Sequence, residues 1–221
     1  MIVPTLNEER NIAALLEHVT ALPGEKEIIV ADGGSTDSTS ELAVSWAEVF
    51  ICPRGRGPQC NAGALRAGGD ILFFLHTDSR LERDALPKIA QAVERGAVWG
   101  CLKLRFDDGH WLTRLIAWCS NMRVRWRGIA FGDQGIFMTR SLFAQIGGIP
   151  DLPLMEDYAL SLLLKGKGLS PEQLDSYITS SARRFVSGGR LRVWLQMWSL
   201  RAQYRRGVDI SILQSTYRNI R

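Results

Sequence analysis

Phe73-Phe74-Leu75-His76-Thr77-Asp78-Ser79-Arg80 is the stretch on which the reading of this 221-residue chain turns. Residues 71–75 form an unbroken apolar run, short enough for a strand buried on both faces of a parallel sheet. The run stops abruptly at four side chains that hydrogen-bond or ligate metals. Open α/β sheets bind their ligands at the carboxyl ends of the strands. Asp78 is therefore expected to hold a divalent cation on the phosphates of a nucleotide. The competing reading is a turn in which Thr77, Asp78 and Ser79 cap the next helix.

Outward from that stretch, the first half of the chain alternates strand-like and helix-like segments. Strands are expected over 1–4, 28–31, 49–52 and 71–75, and helices over 8–22, 39–46, 58–67 and 83–95. This order predicts an α/β fold with a mainly parallel, twisted sheet and helices on both faces. The first strand is short, which points to a clipped edge or a start further upstream. The second half is less regular, with strands over 98–106 and 135–139 and helices over 111–126, 141–146, 157–165 and 191–206. No composition break marks a linker.

A composition of 46% hydrophobic and 23% charged residues suits a globular domain with a sizeable core. The net charge of +4 suits anionic substrates, nucleotides or lipid headgroups and is too small to argue for nucleic acid. Cys52, Cys60, Cys101 and Cys119 show no metal-finger spacing and read as reduced thiols. With no leader-like start and no window near the roughly 20 apolar residues of a membrane span, a cytoplasmic protein is expected, peripheral at the inner membrane face at most.

Two further loops fall at expected strand ends. Pro4-Thr5-Leu6-Asn7-Glu8-Glu9 follows the first strand and Asp32-Gly33-Gly34-Ser35-Thr36-Asp37 the second. A carboxylate and a glycine turn there suit recognition of a base or ribose. Asp32 is expected to accept from a base N–H, with Thr5 and Glu8 near the base or ribose. Taken alone, each loop reads rather as a turn running into a helix cap, and their placement on successive strand ends reverses that. Arg54-Gly55-Arg56-Gly57-Pro58-Gln59-Cys60-Asn61 places two arginines among glycines at a helix start, a suitable seat for a diphosphate.

These pieces, with Met155-Glu156-Asp157, resemble family 2 glycosyltransferases of the GT-A fold. Gly132–Phe137 (G-D-Q-G-I-F), 146–157 and 180–185 are similar to a bacterial branch known as radical-SAM/selenodomain-associated transferase type 2. The resemblance implies a nucleotide-diphosphate-sugar donor (UDP-sugar favoured), Mg²⁺ or Mn²⁺, inversion at the anomeric carbon and a carboxylate base. It makes Asp157 the general base and Asp78 the metal carboxylate, with His76 standing where the usual motif has its first Asp. The donor nucleotide would meet Pro4, Thr5, Glu8, Asp32, Gly34, Arg54, Arg56, Gln59, Asn61, Thr77 and Asp78. Asp133, Gln134 and Glu156 would face sugar or acceptor, and Arg183 and Arg184 would clamp the diphosphate or form a surface ion pair.

The expected organisation is a catalytic domain over 1–185, with a nucleotide-binding half to residue 105 and an acceptor-side half to 185, followed by a helical appendage over 186–221. Trp111, Leu115, Trp118, Met122 and Trp126 lie on one stripe of a helix, and Trp194, Leu195 and Trp198 share another helix. Trp beside Arg suits a membrane surface approaching a lipid-linked hydroxyl acceptor. It suits internal packing or a homodimer equally, and packing is favoured because long apolar stripes are usually core. The rival readings are a nucleotidyltransferase of similar fold and a non-catalytic sugar-nucleotide or membrane scaffold protein. The first usually needs a glycine-rich loop with Lys or Arg after the first strand, where this chain has Thr-Leu-Asn-Glu-Glu.

Overall fold

β1 (Ile2–Thr5), β2 (Ile29–Asp32), β3 (Glu48–Ile51) and β4 (Ile71–Phe74) run parallel and are joined through α1 (Ile12–Thr20), α2 (Thr39–Ala43) and α3 (Arg56–Arg66). This computed structural model describes residues 1–218. The rest comprises β5 (Ser79–Leu81), α4 (Ala85–Glu94), β6 (Trp99–Phe106), α5 (Trp111–Arg127), β7 (Ile136–Thr139), α6 (Arg140–Ile146) and α7 (Glu156–Gly166). It continues with β8 (Glu172–Ser180), α8 (Arg183–Gly188), α9 (Arg190–Arg205) and α10 (Ile210–Arg218).

Among the described residues one eight-stranded sheet forms, in the order β3-β2-β1-β4-β7-β6-β8-β5. The first half is parallel as expected. The second half is mixed, because β7 is antiparallel to both β4 and β6, and β5 is antiparallel to β8. β1 is interior, between β2 and β4; the chain runs outward from it through β2 to β3 and then crosses back to β4 on its other side. That point of divergence is where a crevice opens at the strand ends.

Side-chain alternation explains the two-sided core. Val3, Val30, Phe73 and Leu75 pack with α1 and α4 on one face, while Ile2, Ile29, Leu72 and Phe74 pack with α3, α6 and α7 on the other. β8, to which the sequence reading gives no element, buries alternate residues of Glu-Gln-Leu-Asp-Ser-Tyr-Ile-Thr-Ser. Its register comes from pairing with β6, and Leu174, Ser176, Ile178 and Ser180 face inward. The capping alternative for Asp78 does not hold, since the residue leads into β5 and no helix follows it directly.

The expected helix over 8–22 begins only at Ile12, because the loop before it is tied to the next strand-end loop. Asn7 N–H donates to Ser35 Oγ (2.9 Å), Glu8 N–H to Thr39 Oγ1 (2.8 Å) and Thr36 N–H to Asn7 Oδ1 (2.8 Å). Packing of the tryptophan stripe on α5 is also corrected. α5 buries Thr113, Ile116, Ala117, Ser120 and Val124, whereas Trp111 is 68% and Trp126 72% exposed. α9 likewise turns Val193 and Leu200 inward and leaves Leu191, Leu195 and Trp198 exposed. The expected helical appendage contains α9 and α10. α9 and α10 share a third apolar cluster with Ile129, Met155 and Tyr158, built around Leu200 and Leu213.

Candidate active site

The donor-side loops are held largely by their own polar groups. Asp32 is 1% exposed, and its Oδ1 accepts from Ser35 N–H and Ser35 Oγ, both at 2.8 Å, while Oδ2 accepts from Ser40 Oγ. It is not among the residues that line the groove described below. Gln59 and Asn61 are tethers as well. Gln59 Nε2 donates to the carbonyls of Thr5 (2.7 Å) and Ala31 (2.8 Å), locking α3 under the ends of β1 and β2. Asn61 exchanges two 2.8 Å bonds with the backbone of Ile149 and does not line the groove. Gly34, at φ +84°, makes the turn, and a Cβ added there would meet open space.

A groove of about 1310 Å³ runs from Pro4, Thr5, Glu8, Arg54, Arg56, Thr77 and Asp78 to α5 and α9. Under it lies a recess of about 30 Å³ lined by Arg56, His76, Gly132, Glu156 and Asp157, among others. Asp157 is fixed from two sides: Oδ2 accepts from Gly132 N–H at 2.8 Å and Oδ1 from Tyr158 N–H at 2.7 Å. Met155, just before α7, stands at φ +66°, and Asn7 at φ +54°. These non-glycine residues in the left-handed region occur in the two loops that face each other across the groove, where strain commonly marks a functional site.

Charge is concentrated here. Burial acts to lower the Arg56 pKa, but Tyr217, Glu156, Asp157 and Asp78 together outweigh it and hold the guanidinium above its ordinary value. Burial, with Asp157 beside it, pushes Glu156 up to about 7 against the pull of Arg56. His76 is brought down to about 3 by burial and by Arg56, so its ring is neutral. That ring packs against Gly132, where an added Cβ would lie 2.9 Å from Nε2.

Asp78 points elsewhere. Its Oδ2 lies 3.8 Å from Arg183 Nη2, and Glu8 Oε1 lies 3.5 Å from the same nitrogen. Burial raises the Asp78 pKa, with Glu8 adding to the rise and Arg183 opposing it. His76 and Asp78 both line the groove, and among the described residues no group of three His, Cys, Asp or Glu side chains is arranged to hold a metal. The carboxylates that do converge, Glu8 and Asp78, have a guanidinium between them where a cation would sit. Mg²⁺ is commonly held by one or two carboxylates plus substrate phosphates, and this pair fits that pattern while His76 does not.

On the acceptor side, Asp133 lines the groove with Oδ1 lacking a hydrogen-bond partner among the described residues, and burial raises its pKa to about 6. Gln134 is fully buried; its Oε1 accepts from Arg123 Nη2 (2.9 Å) and Phe131 N–H (3.2 Å), so it supports the loop and does not face a sugar. Arg183 bridges carboxylates, and Arg184 lies 4.0 Å over the Tyr217 ring. Arg123, Arg201, Phe131 and Tyr217 also reach this part of the groove, and the sequence reading gave none of them a site role. Their only signal was arginine at the border of an apolar helical stripe.

An open α/β sheet with a charged groove at its switch point is the architecture of a nucleotide-binding transferase. A family model described as Glycosyl transferase family 2 matches residues 1–147, and the chain belongs to that family. It is 33% identical over 99 residues to an uncharacterized glycosyltransferase of Mycobacterium tuberculosis, covering 44% of each chain. It is 27% identical over 153 residues to the undecaprenyl-phosphate 4-deoxy-4-formamido-L-arabinose transferase of Serratia proteamaculans, covering 62% of this chain and 47% of that one. A mannosyltransferase from Pyrobaculum calidifontis, solved with GDP-Man and Mn²⁺, superposes with a TM-score of 0.65 at 19% identity, over 81% of this chain and 55% of that one. The fold is GT-A. The chain spans about half the length of the curated relatives it matches.

Proposed function

We propose that the chain transfers a sugar from a nucleoside diphosphate to a hydroxyl acceptor with inversion, Asp157 acting as general base. One observation carries this reading: the Asp157 carboxylate is held in the groove by two backbone N–H groups, with Arg56 and Asp78 on the donor side. The acceptor oxygen attacks the anomeric carbon as the bond from that carbon to the phosphate oxygen breaks. The electron pair leaves with the nucleoside diphosphate, and the acceptor proton passes to Asp157. Arg56 stabilises the charge growing on the leaving phosphate, and Arg54 at the start of α3 adds to it.

A divalent ion, Mg²⁺ or Mn²⁺, would be held by Asp78 with Glu8 beside it and would supply further neutralisation of the diphosphate. The exposed tryptophans of α5 and α9 support contact with a membrane surface and a lipid-linked acceptor; no helix among the described residues is long and apolar enough to cross a membrane. Titration of UDP, GDP and dTDP with and without Mn²⁺ tests the donor site. UDP is expected to bind most tightly, and failure of every nucleoside diphosphate to bind would reject the assignment.

A further inference from the structure

Three guanidinium groups face the far part of the groove with no ion pair among the described residues. Arg123 gives its protons to the Ile129 carbonyl (3.1 Å), Ser120 Oγ (3.4 Å) and Gln134 Oε1 (2.9 Å), all of them neutral. Arg201, on α9, makes no hydrogen bond or ion pair among the described residues. Arg184 buries Nε and Nη2 with no hydrogen-bond partner among the described residues. Desolvated cations left uncompensated are expensive, and their retention calls for a ligand.

Each group is seated on an aromatic ring. Arg123 lies 3.6 Å over Phe131, Arg201 is 5.2 Å from the same ring and 5.3 Å from Trp198, and Arg184 is 4.0 Å over Tyr217. Stacking fixes the planar forks in advance, which suits an oxyanion able to accept from several of them. Burial, opposed by Asp133 and reinforced by the charge of Arg201, brings Arg123 down to about 10, as expected of two cations held close together. All of these residues line the same groove as Asp157.

We infer that Arg123, Arg201 and Arg184 form an acceptor subsite for an oxyanion, and that the acceptor is a hydroxyl compound carrying a phosphate group. It rests on the transfer reading above for the word acceptor, but not for the anion site itself. The phosphate sits on the three guanidiniums, the unpartnered Asp133 Oδ1 accepts from an acceptor hydroxyl, and the reacting hydroxyl faces Asp157. The phosphate belongs either to a small soluble ester or to a lipid headgroup, whose chain would follow Trp118, Met122, Trp126 and Trp194 along the groove.

Calorimetric titration of glycerol 3-phosphate, and flotation with phosphatidylcholine vesicles with and without phosphatidic acid, separate the two sources. Binding of the soluble ester assigns a soluble acceptor, and binding only to vesicles with phosphatidic acid assigns a lipid headgroup. In either case Arg201→Gln and Arg184→Gln should weaken binding by about tenfold or more. Arg201→Lys should retain part of it, and all variants should bind UDP as the wild type does, which also checks their folding. The inference is overturned if neither probe binds, if the Gln variants bind like wild type, or if UDP displaces the phosphate probe. Failure of the wild type to bind UDP would instead strike the donor reading and leave the anion result standing.

Discussion

The two sides of the groove solve the problem of buried charge in opposite ways. On the donor side most carboxylates have a partner within the protein: Asp32 with Ser35 and Ser40, Asp37 with Thr39, and Glu8 and Asp78 with Arg183. On the acceptor side Arg201, Arg184 Nε and Nη2, and Asp133 Oδ1 have no hydrogen bond or ion pair among the described residues. A self-satisfied surface is rigid, and a ligand must displace something to enter it. A surface with unmatched charge is less stable by itself and gains most from its ligand.

The largest effect that sharpens this contrast is expected at the boundary between the sides. Asp157→Asn should lower the transfer rate by roughly 10²–10⁴-fold and leave nucleotide binding near wild type. Equal loss of both would make Asp157 a binding residue. Next in size is Asp32→Ala, which leaves Ser35 N–H and two hydroxyls without their acceptor. Denaturant unfolding should show a loss of roughly 2–3 kcal/mol; a change below about 0.5 kcal/mol would break the view of the donor loops as self-supporting.

A comparable effect is expected from pH. The Glu156 carboxyl moves from 4.5 to about 7 on folding, mainly through burial. Between those values the folded protein keeps a proton that the unfolded chain releases, so stability is full below about 4.5 and falls as pH rises through 7. Glu156→Gln should flatten that fall and stabilise the protein above pH 7 by roughly 2 kcal/mol. A pH-stability profile identical to wild type would contradict it. The smallest change is expected at the exposed edge, where Trp126→Ala should alter stability by less than about 0.5 kcal/mol. Flotation with anionic vesicles at low salt should nevertheless be weaker, and unchanged flotation would remove Trp126 from any membrane contact.

The same contrast explains what the sequence could reveal. Donor loops are contiguous, each following its own strand, so Thr5, Glu8, Arg54, Arg56 and Asp78 were readable from local pattern. Their neighbours Asp32, Gln59 and Asn61 were readable as part of the same motifs but not in their roles, because whether a carboxylate or amide faces a ligand or a backbone depends on tertiary partners. The acceptor side draws on residues from 123 to 217, scattered over five segments, and no spacing rule joins them. β8 escaped because its alternation is weak in sequence and its pairing with β6 supplies the missing information. The tryptophan stripe misled for a related reason: α5 carries two apolar faces, and the smaller residues of Thr113, Ile116, Ala117 and Ser120 pack more closely on the sheet.

The bridge from Arg183 to Glu8 and Asp78 also says something about which piece of chain constitutes a working unit. The family match ends at residue 147, and a fragment cut there would contain every donor loop. It would lack the arginine that holds two of the donor carboxylates together, and it would lack Asp157. Residue 8 and residue 183 meet only after β8 has been laid against β6, so the donor cleft is completed by the late part of the described chain and is a property of its whole length.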